Sequence, residues 1–430
     1  MSMEPSVAPF YHPGAGLPRF HRALRERTRD LTLVLWGDSL LAREQHTSAG
    51  DLDPAALPPT MHTRKLDWHV WQGLHYPQPT YRRLDYPGFF RTDGDWCVAE
   101  GDPAWDDTGY RPGWTAFSAD GDAACHWTLP AGRDWSSSAL IYRTDARGTE
   151  AELRAEGGPG VVQAWDEEQR NWVEADGYRF CQRHAGGLPR TGDTTYQRRL
   201  YLRRIAPPDR TVAMSVRRVG DGEGERLLLW GLEAWDPARP VLRLVNSARG
   251  SHTLEMLVRS LENEVRSHRP DLIVLELPLL NMLHQRPDPE DGVRWVWDVV
   301  WGDRPGAEND WALTRGRDGE VAPEVLLLLP HHTHVHLSPE DGWVGYGKIA
   351  PPKYFAAVRE LLRRRGDVPW LDMAAAFLAA IDADPRFGSR YEALAGSAPG
   401  GPTYTNDGLH QNDRGTAVYA RHLCPVLRGE

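Results

Sequence analysis

Two kinds of hydrophobic pattern divide the chain. Short, continuous apolar runs, typical of buried parallel strands, occur at 31–36, 241–245, 272–277 and 325–329. Apolar residues at spacings of three and four predict amphipathic helices at 254–265, 354–362, 373–381 and 415–423. Because strands and helices alternate in these parts, the pattern predicts an α/β domain with a parallel sheet.

The segment 85–236 has a different pattern. Short apolar runs at 138–142, 161–165, 199–205 and 226–230 are separated by Gly-Asp and Asp-Gly turn signals. Such closely spaced strands are typical of a β-sandwich or jelly roll. The predicted organisation is therefore an N-terminal arm (1–24), a first part of the α/β domain (25–84), a β-sandwich insertion (85–236) and a second part of the α/β domain (237–430).

Charge and composition exclude several classes of protein. The 430 residues carry a formal charge of −10, which argues against a general nucleic-acid binder. No apolar run approaches the roughly 20 residues that span a bilayer. The start of the chain has no basic segment followed by an apolar one, so we expect a cytoplasmic protein, with release by lysis or association with a virion left open. The four cysteines follow neither a zinc pattern nor a disulfide pattern.

A candidate nucleophile follows the first apolar run, in the sequence Gly-Asp-Ser-Leu-Leu at 37–41. Ser39 would lie just past the carboxyl end of a buried strand, where open α/β sheets place their sites. Gly37 permits a tight turn there. Taken alone, the triplet is more typical of an ordinary turn than of a catalytic site.

A candidate base and its carboxylate lie near the other end, in the sequence Thr-Asn-Asp-Gly-Leu-His-Gln-Asn-Asp-Arg-Gly at 405–415. This loop leads into the last predicted helix, for which Asp413 is the predicted N-cap. Asp407 and His410 lie three residues apart on it. A hydroxyl nucleophile needs a neutral imidazole to take its proton and a carboxylate to fix the tautomer of that imidazole. Ser39, His410 and Asp407 are therefore the candidate catalytic residues.

Together the two motifs resemble those of the SGNH (GDSL-type) hydrolase family. Two further segments are similar to family blocks: 244–253, which contains Gly250, and 273–281, which ends in Asn281. The family usually has Gly-X-Asn in the latter, where this chain has Leu279-Leu280-Asn281. The resemblance implies a three-layer α/β/α sandwich. It also implies an oxyanion hole formed by the backbone amides of Ser39 and Gly250 and the side chain of Asn281, with no cofactor or metal.

The spacing of the motifs agrees with an insertion. Ser39 and His410 are 371 residues apart, which is too far for one compact domain of this family. Without the β-rich segment of roughly 150 residues, about 220 residues separate them, which is the size of one such domain.

Several other residues have more than one interpretation. The histidines at 331–336 follow a predicted strand; they could bind a metal, line a substrate pocket, in particular His334 and His336, or be structural. Trp68 could line the pocket or pack at a domain interface. Glu276 and Glu44 are interpreted as packing or loop groups. The insertion holds nine of the eighteen tryptophans, which could stack on sugars, fill its core or mark a protein interface.

The resemblance predicts a serine esterase that forms an acyl-enzyme on Ser39. Likeness to SGNH carbohydrate esterases favours O-deacetylation of a glycan, so the expected partner is an acylated glycan or a small ester. Two alternatives stay open. One is an O-acyltransferase that uses the same three residues. The other is a virion or surface-assembly protein that carries an esterase domain.

Overall fold

A computed structural model of the chain describes residues 10–42, 66, 70, 73–79, 90–93, 96–98, 116–118, 124–129, 136–144, 148–157, 160–182, 196–205, 210–219, 227–248, 257, 261, 265–279, 282–283, 288–302, 313, 321–338, 351–397, 401–405 and 407–430. The chain divides into two compact units. The first comprises Met1–Leu52, His62–Tyr76 and Leu244–Glu430, and the second comprises Asp53–Met61 and Pro77–Arg243.

A mostly parallel sheet of seven strands carries the predicted apolar runs. Its strands are β1 (Tyr11–His12), β2 (Leu31–Trp36), β3 (Gln78–Pro79), β16 (Val241–Asn246), β17 (Leu272–Glu276), β18 (Glu324–Leu329) and β19 (Trp370–Asp372). Their order across the sheet is β1-β19-β18-β17-β2-β16-β3. β17 pairs in parallel with β2 and β18, and β18 with β19, whereas β1 is antiparallel to β19. The chain is therefore a mixed α/β protein, as its periodicity predicts.

Both faces of the central strands are buried. Val34 and Trp36 of β2 belong to one apolar cluster with Phe355 and other residues of the helix that follows β18. Leu33 and Leu35, which alternate with them along the strand, are completely buried as well. A strand buried on both faces has no room for polar alternation, which explains the continuous apolar run in the sequence.

The predicted helices at 354–362, 373–381 and 415–423 lie within helices of the structure, whereas the spacing of apolar residues does not predict those that begin at Pro18, Ser39, Pro289 and Arg390. The described helices are α1 (Pro18–Glu26), α2 (Ser39–Ala42), α3 (Pro289–Trp301), α4 (Pro351–Arg365), α5 (Met373–Asp382), α6 (Arg390–Leu394) and α7 (Asp413–Arg428). Of the predicted helix 254–265, only Leu257, Leu261 and Val265 are described, and all three are buried. None of the described helices is long and apolar enough to cross a membrane.

The prediction that Asp413 caps the last helix is wrong by one residue. The N-cap of α7 is Asn412, whose side chain accepts hydrogen bonds from the backbone N–H groups of Arg414 and Gly415. Asn412 is buried and extended, which suits a cap, whereas Asp413 is already helical. Asp413 lies in the first turn, where its negative charge interacts favourably with the helix dipole.

The remaining strands form two antiparallel sheets. They are β4 (Phe90–Asp93), β5 (Trp96–Val98), β6 (Ala116–Ser118), β7 (Ala124–Leu129), β8 (Ser137–Thr144), β9 (Glu150–Ala155), β10 (Val162–Asp166), β11 (Asn171–Glu174), β12 (Arg179–Cys181), β13 (Tyr196–Arg204), β14 (Val212–Arg218) and β15 (Leu227–Trp235). One sheet has the order β11-β10-β13-β8-β15-β6-β5, and the other has the order β12-β9-β14-β7-β4.

One apolar cluster is shared by these two antiparallel sheets. Leu140 and Leu202 contribute to it from the larger sheet, and Leu153 and Val216 from the smaller one. In β14 buried residues alternate with more exposed ones, which is the pattern of a sheet with one face towards a core. The short runs at 138–142, 161–165, 199–205 and 226–230 all lie in or overlap strands of this region.

Candidate active site

The carboxyl ends of three neighbouring strands bring the candidate residues to one edge of the parallel sheet. β2 leads into Gly37, Asp38 and Ser39, β17 ends at Glu276, and β18 leads into His331. A Cβ atom on residue 37 would lie 2.8 Å from Cβ of Glu276. Glycine is therefore the residue that fits between β2 and Ser39, because any larger side chain would overlap with the neighbouring strand.

The turn at Ser39 is held by the aspartate of the motif. Asp38 is buried, and its Oδ1 accepts a hydrogen bond of 2.9 Å from the backbone N–H of Leu40. Ser39 begins the short helix α2, while its side chain lies outside what the structure describes. The strand-turn-helix arrangement thus places residue 39 at the carboxyl edge of the sheet, as predicted.

Asp407 and His410 are in direct contact. Oδ2 of Asp407 lies 2.7 Å from Nδ1 of His410. Oδ1 of the same carboxylate accepts hydrogen bonds from the backbone N–H groups of Leu409 and His410, at 2.9 and 2.8 Å. A carboxylate can only accept, so Nδ1 carries the proton and Nε2 is the nitrogen that can take up another.

The charge of Asp407 is stabilised by these contacts. Partial burial alone would raise the pKa of its carboxyl group, but the hydrogen bonds from His410 and the nearby backbone outweigh burial and hold that pKa well below its ordinary value. Asp407 is thus an anion throughout the neutral range. It can stabilise a positive charge on the His410 ring when that ring accepts a proton.

The loop that carries both residues is held at its base. Thr405 and Gln411 form an antiparallel bridge, and Asn412 donates a hydrogen bond of 2.6 Å to the carbonyl of Thr403. Gly408 has a φ of 84°, and a Cβ atom there would lie 3.0 Å from Cβ of His334. The tight turn between Asp407 and His410 therefore depends on a glycine as well as on hydrogen bonds.

A hydrogen bond joins this loop to the serine turn. Nε2 of Gln411 donates to the backbone carbonyl of Leu40. Gln411 follows His410, and Leu40 follows Ser39, so each candidate residue is one position away from the contact. The Gly-Asp-Ser turn and the loop of Asp407 and His410, which are far apart in sequence, thus lie side by side.

The histidine cluster is dispersed among different surroundings. His331 is fully buried against Phe377, with ring centroids 4.5 Å apart. His334 is half-buried, and its ring lies 4.1 Å from that of Tyr391. His336 is only 1 % exposed, which leaves it little surface to offer a substrate. Within the described part of the chain, no group of three or more histidine, cysteine or acidic side chains is placed to hold a metal ion.

Two buried side chains near the site were not assigned a function from the sequence. The sequence indicates a packing or loop group at Glu276, and the structure places it at the end of β17, completely buried beside Gly37. Tyr419 was one position on the apolar face of a predicted helix. Glu276, a polar residue within the otherwise apolar run 272–277, is the only signal in the sequence. Gly250, Asn281, Trp68 and Glu44 lie outside the described residues.

No protein-family model matches the chain, and no curated protein matches it. Solved structures similar to it include an acetyl xylan esterase, AlAXEase (18% identity, 42% of this chain and 79% of that one, TM-score 0.29). Another is the protein YXIM of Bacillus subtilis (12% identity, 80% and 89%, TM-score 0.33). A third is the acetylxylan esterase Axe2 of Geobacillus stearothermophilus (15% identity, 44% and 74%, TM-score 0.29). Because these TM-scores are low, the function proposed below rests on the chain's own residues.

Proposed function

We propose that the chain is an SGNH-type serine esterase with Ser39 as nucleophile, His410 as general base and Asp407 as the residue that orients it. The observation that carries this proposal is the contact between Asp407 and His410, on a loop bonded to the turn of Ser39. It leaves Nε2 of His410 as the nitrogen that can accept a proton, which the proposed role requires.

In the proposed reaction the Ser39 oxygen attacks the ester carbonyl and its proton moves to Nε2 of His410. The imidazolium, stabilised by Asp407, then gives that proton to the departing alcohol, and an acyl group remains on Ser39. Water attacks the acyl-enzyme with His410 again as base, which releases the acid and restores the serine.

The oxyanion of each tetrahedral intermediate needs hydrogen-bond donors. We assign this role to the backbone amides of Ser39 and Gly250 and to the side-chain amide of Asn281, as the family resemblance implies. Removal of one such donor typically costs about 10²- to 10³-fold in kcat. Asn281→Ala should therefore lower kcat for a nitrophenyl ester by that factor while the protein stays folded.

The first test is covalent labelling of the serine. A fluorophosphonate should label the wild-type protein at Ser39, and Ser39→Ala should lose both labelling and hydrolysis of p-nitrophenyl acetate. Circular dichroism of the variant shows that it is folded. Undiminished turnover by folded Ser39→Ala would rule out this assignment. Product analysis with a sugar acceptor present distinguishes hydrolysis from acyl transfer.

We further propose that the substrate is an O-acetylated glycan, recognised in part by the antiparallel sheets. Trp165 and Trp172 form a cross-strand pair on β10 and β11, with ring centroids 5.5 Å apart. Both are half-buried, and they alternate with residues of the core, so they lie on the outer face of the sheet. The Arg203 guanidinium lies 4.6 Å from the Trp172 ring centroid. An aromatic surface with a polar edge suits a sugar ring.

Affinity electrophoresis in acetylated xylan and in other acetylated glycans tests this second step. Trp165→Ala and Trp172→Ala should migrate faster than wild type in the gel that contains the recognised glycan, and all should migrate alike without it. Ile205→Ala is the matched control, because Ile205 is an apolar side chain of the same region that is 47% exposed. Retardation equal to that of wild type for both tryptophan variants would contradict the assignment.

A further inference from the structure

Three buried titratable side chains that the proposed reaction does not use connect the histidine loop to the serine turn. Nε2 of His331 lies 3.0 Å from the backbone carbonyl oxygen of Leu409. Nδ1 of His331 lies 3.0 Å from the hydroxyl of Tyr419. That hydroxyl lies 3.3 Å from Oε1 of Glu276. All three side chains are fully buried.

The direction of each hydrogen bond follows from the carbonyl at one end. A carbonyl only accepts, so Nε2 of His331 carries a proton. Burial lowers the pKa of His331 to about 4, so the ring is neutral and its Nδ1 must accept. The Tyr419 hydroxyl is the donor within reach of Nδ1. The oxygen of this hydroxyl also accepts from the backbone N–H of His331 at 3.3 Å. Because its one proton is directed to Nδ1, we infer that the hydroxyl accepts from Glu276, and Glu276 must then be a carboxylic acid.

The surroundings of Glu276 independently favour the neutral form. Burial, followed by the nearby carboxylate of Asp38, raises the pKa of Glu276 well above its ordinary value. Hydrogen bonds that the Tyr419 hydroxyl and the backbone N–H of Leu41 would donate to an ionised Glu276 act in the opposite direction and are the weaker influences on this pKa. Proton counting and electrostatics thus agree on a protonated Glu276.

At one end of this series of hydrogen bonds, His331 contacts the peptide group between Leu409 and His410. The carbonyl of this group, on Leu409, accepts from His331, and its N–H, on His410, donates to Oδ1 of Asp407. The peptide plane is therefore held from both sides, and the Cα atom of His410 is attached to it. At the other end of this series of hydrogen bonds, Glu276 packs against Gly37 of the serine turn.

We propose that Glu276, Tyr419 and His331 form a one-way hydrogen-bond chain, with Glu276 as a neutral donor, that positions the ring of His410 relative to the Ser39 turn. The three are positioning residues, since none is assigned a contact with substrate. This inference rests on the proposed function for its catalytic consequence, whereas the hydrogen-bond chain itself is tested without turnover.

The kinetic test compares variants that keep or remove the donors. Tyr419→Phe removes the hydroxyl that links His331 to Glu276, and we expect kcat to fall about tenfold with KM within about twofold of wild type. Glu276→Leu should give a similar loss of kcat. Glu276→Gln keeps a neutral donor of nearly the same shape, and its kcat should stay within about twofold of wild type.

A matched control separates positioning from a general loss of stability. Tyr354 is another fully buried tyrosine of the same unit, on α4. Tyr354→Phe should leave kcat and KM unchanged even where it lowers the melting temperature. The inference would be overturned if Tyr419→Phe kept the wild-type kcat, or if Glu276→Gln lost as much activity as Glu276→Leu.

The hydrogen-bond chain is tested by ¹⁵N NMR of histidine-labelled protein, with the His331 signals assigned through His331→Asn. We expect a neutral ring protonated at Nε2 between pH 5.5 and 8, and a shift of the Nδ1 resonance in Tyr419→Phe. An Nδ1-protonated or charged ring would overturn the inference whether or not the protein is active. A wild-type protein without esterase activity would overturn the proposed function, and the His331 spectrum would still decide the hydrogen-bond chain.

Discussion

Replacement of Glu276 by glutamine should change how the stability of the protein depends on pH. Burial and the Asp38 carboxylate raise the pKa of Glu276 well above 4.5 in the folded protein, whereas in the unfolded chain the carboxyl group loses its proton near 4.5. Between these two pKa values, folding takes up one proton. The contribution of Glu276 to stability is therefore complete below pH 4.5 and is lost as the pH rises towards the folded pKa.

The size of the effect follows from one proton. The free energy of unfolding of the wild type falls, through this group, by about 1.4 kcal/mol for each pH unit in that window. Glutamine takes up no proton, so the stability of Glu276→Gln relative to wild type should grow as the pH rises above 4.5, by up to about 1.4 kcal/mol for each pH unit. His331 titrates in the unfolded state of both proteins, so its contribution cancels in the difference.

Urea unfolding, followed by tryptophan fluorescence at several pH values from 5.5 to 7, measures this difference. The matched control is Glu152→Gln. Glu152 is also buried, but it forms ion pairs with Arg217 and Arg179 at 2.8 and 3.1 Å. Burial opposes ionisation of Glu152, but these arginines together hold its pKa below the ordinary value. The effect of Glu152→Gln should therefore not vary with pH in this window. Parallel curves for wild type and Glu276→Gln would refute the reasoning.

Three further predictions concern the site and the cysteines. Asp407→Asn should lower kcat by about 10³- to 10⁴-fold with little change in KM, because the amide no longer fixes the tautomer of His410 or stabilises its charge. Steady-state kinetics on a nitrophenyl ester measures both constants, and a loss of kcat of less than about tenfold would contradict the role of Asp407. Gly37→Ala should destabilise the protein by about 1 to 3 kcal/mol, because the new methyl group would overlap Cβ of Glu276; an unchanged melting temperature would disprove the overlap. Of the three cysteines whose side chains are described, Cys181 is exposed and should be alkylated by iodoacetamide first. Cys125 and Cys424 are buried, and burial raises the pKa of both thiols, that of Cys424 to about 11. Equal alkylation rates by mass spectrometry would argue against this burial.

The strands and helices were largely predictable because burial on both faces and burial on one face leave different periods in a sequence. The run 31–36 coincides with β2, and the predicted helix 373–381 lies within α5. The error at Asp413 arose because two neighbouring polar residues could both cap the helix, and only the backbone conformation distinguishes Asn412 from it. The domain boundaries and the roles of Gly250 and Asn281 stay predictions.

The sequence by itself determined the pairing of Asp407 with His410, because a spacing of three on a tight glycine-containing loop is a local property. It also determined that Ser39 follows a buried strand. Only the tertiary structure decided that Glu276 is completely buried and that Tyr419, which is 143 residues from Glu276 and 88 from His331, lies in contact with both. Charge state and contact at such separations depend on which strand and helix ends meet in a low-dielectric core, and no local pattern of residues encodes that meeting.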